Sequence, residues 1–107
     1  MERSSRIRAL NDSFRQSFVG GVVMLSAGVD RLSPAAKSAV LSKIRMFSDF
    51  APLEYSDEHD QIKIEVGGTK FSGQIEYYTR DLLFRSDDPA DSGRTLRVLT
   101  VTKVDEH

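Results

Sequence analysis

The segment from Gln61 to Thr79 constrains the fold most strongly, because its apolar and polar residues alternate around a pair of glycines. Ile62, Ile64 and Val66 share one face of an extended strand, since successive side chains point to opposite faces. Gly67 and Gly68 can adopt the positive φ angles that a tight hairpin turn requires. The apolar positions of the returning strand are Phe71, Gly73, Ile75 and Tyr77. The segment therefore predicts a β-hairpin with one apolar face.

Two amphipathic helices are predicted on the N-terminal side of this hairpin. Over residues 3–18 the apolar residues recur at spacings of three and four, which is the period of one helix face. These residues are Ile7, Leu10, Phe14 and Phe18. We expect Gly20 and Gly21 to end this helix. Ser33 and Pro34 are a cap and a first-turn residue typical of a helix start, and this second helix should run to about Phe47.

Further strands complete the predicted sheet. The apolar run at 22–26 predicts a short buried strand that ends at Gly28. Residues 95–104 carry apolar groups on both faces, as a central strand would. The sequence DLLFRS could add one more short strand. Together these elements predict a single domain over residues 1–107. Its fold class is α+β, with two helices packed on one face of a mostly antiparallel sheet of four to five strands, in the order α-β-α-β-β-β.

Composition excludes several classes of protein. The chain has 107 residues and no cysteine, which excludes disulfides, thiolate metal sites and cysteine nucleophiles. The lack of cysteine fits a reducing compartment, so a cytoplasmic location is expected. No apolar run reaches the roughly 18 residues of a membrane span, and no membrane association is expected.

The net charge of −1 hides an asymmetry between the two halves of the chain. Residues 1–53 carry eight basic and four acidic side chains, whereas residues 54–107 carry seven basic and twelve acidic ones. Such an asymmetry indicates either a charged partner or attraction between the two halves of one domain. We favour the second interpretation.

The segment from Glu54 to Asp60 places four carboxylates around His59. His59 could serve as a base among its acidic neighbours, or join Glu58 and Asp60 in a metal site. Adjacent side chains of an extended chain point apart, however, so Glu58 and Asp60 share a side that His59 does not. The favoured interpretation is that Asp60 or Glu58 accepts backbone N–H groups where the loop enters the next strand. No catalytic residue, metal ligand or cofactor is predicted.

A second acidic cluster, SDDPADSG, spans residues 86–93. Asp87, Asp88 and Asp91 could bind a hard cation, but the glycine and the distant glutamate of a calcium loop are not at the required positions. A turn in which an aspartate caps the following backbone is the preferred interpretation. The alternative is that both clusters imitate phosphates and occupy a basic groove of another protein.

Nucleic-acid binding has weaker support. The arginines of the first helix could contact phosphates, and Tyr77 or Tyr78 could stack on bases. The sequence pI is about 6.1, and the chain lacks the strong basic stripe of nucleic-acid binders. Direct nucleic-acid binding is therefore not expected.

Several segments, in order, resemble a small bacterial family known as domain of unknown function 3768. They are RIRALNDSFR, GGVVMLSAGV, IRMFSDF, EHD, IEYY, DPAD and RVLTV, and the resemblance extends from about Arg6 to Val101. Its most specific parts are Glu58-His59-Asp60 and Asp88-Pro89-Ala90-Asp91. Gln61 and Ile62 stand where the family pattern has an aromatic residue and a glycine. The resemblance implies a bacterial protein, often encoded on plasmids or mobile elements, and implies no activity, cofactor or catalytic residue.

These observations predict a non-enzymatic binding or inhibitor protein whose partner is another protein, such as a component of a CRISPR-Cas or other defence complex. The predicted contact residues are Glu58, His59, Asp60, Asp87, Asp88 and Asp91. One alternative is a small enzyme that uses an acid–base or metal site at Glu58-His59-Asp60, or that uses His59 with Asp91, in which case the two acidic loops should meet in a pocket. Another is a regulator that touches DNA through its basic first helix. A homodimer is a further option, formed by pairing of an exposed edge strand at 22–26 or 69–79.

Overall fold

The computed structural model describes residues 2–52 and 54–106. Over these residues the chain forms three α-helices and four β-strands. The helices are α1 (Arg3–Ser17), α2 (Ala27–Asp30) and α3 (Pro34–Met46). The strands are β1 (Gly21–Leu25), β2 (Gln61–Val66), β3 (Thr69–Tyr78) and β4 (Leu96–Lys103). The predicted α+β class is confirmed, and α2 is a short helix that the sequence prediction lacked.

The strands form one mixed sheet in the order β1-β4-β3-β2. The predicted hairpin is β2–β3, in which Val66 pairs with Thr69 and both turn glycines have positive φ. β4 is central, as predicted, and it pairs in parallel with β1 and antiparallel with β3. Because β3 is hydrogen-bonded on both sides, the option that residues 69–79 form an exposed edge is wrong. The edges are β1 and β2.

The helices pack on one face of the sheet, as predicted, because each helix contributes apolar side chains to a core shared with the strands. Phe14 of α1, Val29 of α2 and Ile44 of α3 are all buried there. The strand residues of the same core are Ile62, Ile64, Phe71, Ile75, Leu99 and Val101. No helix within 2–52 or 54–106 is long and apolar enough to cross a membrane.

The first helix ends differently from the prediction. Phe18, rather than a glycine, adopts the left-handed conformation at the C-terminus of α1, with φ of 59°. Its backbone N–H donates to the carbonyl of Phe14 at 2.6 Å. Gly21 instead opens β1, where a Cβ atom would lie 2.7 Å from the Phe14 ring. Glycine is needed there for close packing of the helix on the strand.

Ser26 was predicted to lie in the first strand, and it instead caps α2. Its hydroxyl accepts the N–H of Val29 at 3.3 Å and donates to the carboxylate of Glu106 at 2.5 Å. The other carboxylate oxygen of Glu106 accepts the N–H of Gly28 at 2.6 Å. These donors lower the pKa of Glu106 below its ordinary value, with the Ser26 hydroxyl as the largest cause. Glu106 therefore ties the segment after β4 to the start of α2.

Candidate functional site

The two acidic loops of the sequence lie on opposite flanks of α1. Arg3 and Arg6 face the loop at 86–93: Arg3 Nη2 lies 3.8 Å from Asp88 Oδ1, and Arg6 lines a depression of about 450 Å³ together with Asp88 and Asp91. Arg8 faces the other loop and donates to the carbonyl of Asp57 at 3.3 Å. Successive residues of an α-helix are rotated by about 100° about its axis. The side chains at positions 3 and 6 therefore point away from the side chain at position 8.

This placement fits attraction between the basic and acidic halves of the chain. It also directs arginines of the first helix toward the chain's own acidic loops, which leaves less basic surface for a phosphate backbone. The hypothesis of an enzyme that uses His59 with Asp91 requires the loops to meet in one pocket. His59 is not among the residues that line the depression beside Asp91.

A buried polar network joins the two loops beneath α1. Asn11 is fully buried, and its amide donates to the Glu58 carbonyl at 3.0 Å and to the Tyr77 hydroxyl at 2.8 Å. Its carbonyl oxygen accepts from Arg97 Nε at 2.6 Å. Arg97 also donates to the carbonyl of Pro89 at 2.6 Å. Asn11 therefore holds the backbone at Glu58, Arg97 holds the backbone at Pro89, and the two side chains bond to each other.

Burial sets the protonation of this network. Desolvation strongly raises the pKa of the Tyr77 phenol, so the hydroxyl stays neutral and donates to the Glu58 carboxylate at 3.0 Å. Burial also lowers the pKa of Arg97, although an arginine remains charged in proteins. The guanidinium lies over the Tyr77 ring, 5.2 Å from its centroid. Hydrogen bonds and this ring contact compensate a charge that would otherwise be costly to bury.

His59 sits in a separate arrangement on the flank of α1. Its backbone is left-handed, with φ of 57°, and its Nδ1 lies 2.9 Å from Asp12 Oδ1. The imidazole stacks on Phe50 with ring centroids 3.7 Å apart. Asp12 also accepts from Arg15 at 3.1 Å, and the buried Arg15 donates to two carbonyls at the C-terminal end of α3. Asp12 thus orients the imidazole, as a carboxylate does for a catalytic base.

The other carboxylates near His59 and Pro89 form hydrogen bonds within their own loops. Asp60 accepts from the Ser56 hydroxyl at 2.6 Å. Asp91 accepts the N–H of Gly93 at 2.9 Å and so caps the backbone that follows it. Asp87 pairs with Arg94 at 3.3 Å, and 82% of the Asp87 side chain is exposed. Among the predicted contact residues, Asp87 is therefore well placed to meet a partner.

No group of three or more His, Asp or Glu side chains with metal-site geometry occurs over 2–52 and 54–106. His59, Glu58 and Asp60 are adjacent in sequence, but their side chains bond to Asp12, Tyr77 and Ser56 respectively. The three motif residues are thus not gathered around one point.

Asn11, Asp12 and Arg97 were not predicted as site residues, although the sequence contains a signal for Asn11 and Arg97. Asn11 falls between Ile7 and Phe14 on the apolar stripe of α1. Arg97 shares the inward face of β4 with Leu99 and Val101, which are two and four residues further along the strand. A polar residue at a core position is expected to bond to another buried group.

A second feature missed at the sequence level is the hairpin over residues 79–86, here called the apolar hairpin. The segment DLLFRS forms only an isolated bridge, between Arg85 and Tyr78, where a short strand was an option. The turn between them exposes three consecutive apolar side chains. Leu82, Leu83 and Phe84 have 48%, 71% and 69% of their surfaces accessible to solvent. Clustered exposed apolar residues mark binding surfaces more often than scattered ones do.

Comparison with known proteins adds one match. A family model described as "Protein of unknown function (DUF3768)" matches residues 25–106. A search of curated proteins and a search of solved structures each find no significant match.

Proposed function

Because the chain belongs to the DUF3768 family, whose description names no activity, we propose from its geometry that it is a non-enzymatic protein that acts by binding another protein. The observation that carries this proposal is the apolar hairpin, which exposes Leu82, Leu83 and Phe84 together. Burying such side chains against a partner is the main source of affinity in protein interfaces. Near His59, in contrast, Asp12 is hydrogen-bonded to the imidazole and Glu58 to the Tyr77 hydroxyl.

The two acidic loops, on opposite flanks of α1, supply two further candidate surfaces. Asp87 is highly exposed, and Glu54 and Asp57 are exposed in the other loop. Rim charges of this kind steer association and set specificity more than they add affinity. In this proposal Asp87 and its neighbours orient an encounter, and the apolar hairpin supplies the contact that holds it.

The more specific hypothesis is an inhibitor of a bacterial defence complex such as a CRISPR effector. Its support is the mobile-element setting that the family resemblance implies. A plasmid-challenge assay in a host with an active CRISPR system tests this directly. Expression of the protein should restore transformation by a targeted plasmid. Unchanged interference in every CRISPR type assayed would exclude CRISPR effectors as the partner, and the broader proposal of protein binding would stand.

The broader proposal is tested by quantitative co-purification from a native host. The wild-type protein should elute with a partner at a fixed stoichiometry in size-exclusion chromatography with light scattering. The charge-reversed pair Asp87→Lys and Asp88→Lys should slow association and make it less sensitive to salt. A wild-type protein that elutes alone from every host fraction, together with a measurable turnover, would refute the proposal.

One observation favours an enzyme as the second candidate. Asp12 orients His59 Nδ1 at 2.9 Å, which leaves the other ring nitrogen to exchange protons. This hypothesis predicts that His59→Gln, which cannot act as a base, abolishes an activity while leaving partner binding intact. Retention of every biological effect by His59→Gln would exclude it.

A further inference from the structure

The apolar hairpin has a fixed backbone. The N–H of Thr79 donates to the carbonyl of Phe84 at 2.8 Å, and the N–H of Ser86 donates to the carbonyl of Tyr77 at 3.0 Å. Leu82 holds a left-handed conformation with φ of 65°, which is unfavourable for a non-glycine residue and persists only when its surroundings enforce it. The exposed side chains are thus presented on a preorganised loop, which reduces the entropy lost on binding.

Asp81 is the residue that enforces this shape. Its carboxylate accepts from the Thr79 hydroxyl at 2.5 Å and from the N–H of Leu83 at 3.1 Å. The Thr79 hydroxyl in turn accepts the N–H of Phe84 at 3.2 Å. These donors lower the pKa of Asp81, with the Thr79 hydroxyl as the largest cause. The one acidic group of the turn is therefore directed inward to the backbone.

The charges around the hairpin cancel. Arg85 pairs with Glu76 at 2.5 Å and lies over the ring of Tyr78. Arg80 donates to the carbonyl of Ser92 at 3.2 Å. The hairpin carries Arg80, Arg85 and Asp81, and Glu76 beside it neutralises Arg85, so the four side chains together have no net charge to draw the hairpin to an anionic bilayer.

The size of the patch argues against a second copy of this chain. From their exposed fractions, the three apolar side chains present roughly 300 Å² of surface, so two hairpins in contact would bury about 600 Å². A stable dimer buries about 1,200 Å² or more. A small patch on a turn takes part in an interface of that area only when the partner surrounds the patch and also contacts the residues around it.

We infer that Leu83 and Phe84 are anchors that insert together into a concave apolar pocket of a partner protein. This inference rests on the proposed function, and it specifies both the contacting side chains and the chemistry of the partner. Anchors of this kind sit at the centre of an interface and account for most of its affinity.

Site-specific photo-cross-linking of the full chain tests the inference. A benzophenone amino acid at position 83, in protein expressed in the native host, should cross-link to the partner found by co-purification. The cross-linked residue should map to an apolar concavity of that partner. The variants Leu83→Ser and Phe84→Ser should each weaken the complex by about tenfold or more in titration calorimetry. Met46→Ser is the matched control, since Met46 is 77% exposed on α3, and it should bind as the wild type does.

The outcomes separate the two proposals. If a stoichiometric complex forms but Leu83→Ser and Phe84→Ser bind normally, the inference is wrong and the binding function stands. The inference is equally overturned by hairpin-dependent sedimentation with vesicles of phosphatidylcholine and phosphatidylglycerol, or by hairpin-dependent dimerisation. If no protein complex forms at all, the proposed function fails together with the inference.

Discussion

The buried network beneath α1 gives the sharpest prediction for stability, through the substitution Asn11→Ala. Asn11 bonds to Arg97 Nε, to the Glu58 carbonyl and to the Tyr77 hydroxyl. A hydrogen bond to a buried charge is worth about 2 kcal/mol and each neutral one about 1 kcal/mol. The gain in helix propensity from asparagine to alanine offsets roughly 0.6 kcal/mol of this total. The free energy of unfolding should therefore fall by about 3 kcal/mol.

Urea titration followed by circular dichroism measures this change. The matched control is Ser13→Ala, because Ser13 is exposed on the same helix and the substitution should be neutral or slightly stabilising. In a double-mutant cycle, Asn11→Ala with Arg97→Met should cost at least about 1 kcal/mol less than the sum of the single changes. A loss below about 1 kcal/mol for Asn11→Ala, or strictly additive effects, would show that the network does not support the fold as reasoned.

Three further substitutions probe other contacts. Gly21→Ala should destabilise by about 3 kcal/mol in urea titration, because its methyl group would overlap the Arg97 carbonyl oxygen; a neutral effect would contradict that packing. Glu106→Gln should lower the melting temperature at pH 7 and flatten its decline in acid. The pKa of Glu106 is lowered by the Ser26 hydroxyl, so its stabilisation is present above about pH 4.5 and lost as the pH falls through the folded-state pKa. Parallel pH curves for the two proteins would argue against this contact. His59→Ala should cost about 1 kcal/mol in thermal melts, since it removes a side-chain hydrogen bond and a ring stack, and an unchanged melting temperature would show that neither contact stabilises the fold.

The elements predicted from sequence are those that local signals specify. Ser33 accepts the N–H of Ala36 at 3.2 Å and so caps α3 as predicted, because a serine before a proline encodes a helix start within a few residues. The β2–β3 hairpin is likewise encoded by its alternation and by Gly67-Gly68. The parallel pairing of β1 with β4 depends on contacts such as Gly21 with Arg97, far apart in sequence, and no local pattern determines it.

The candidate site was only partly predictable for the same reason. The acidic loops were visible as clusters, but the partner of His59 is Asp12 and the partner of Glu58 is Tyr77, each on another element. Sequence proximity grouped Glu58, His59 and Asp60, whereas the fold gives each side chain a different neighbour. The exposure of Leu83 could not be predicted because a short apolar run in sequence is typical of a buried strand or a buried helix segment.

The position of β4 has a consequence for biosynthesis. β1 pairs in the sheet with β4 alone, and β4 emerges from the ribosome after the other three strands. Until then α1 and β1 leave apolar surface open to chaperones and to aggregation, and the domain matures as a unit once synthesis has passed residue 103. A nascent chain stalled before Leu96 should be protease-sensitive throughout, including the β2–β3 hairpin that local signals specify so clearly.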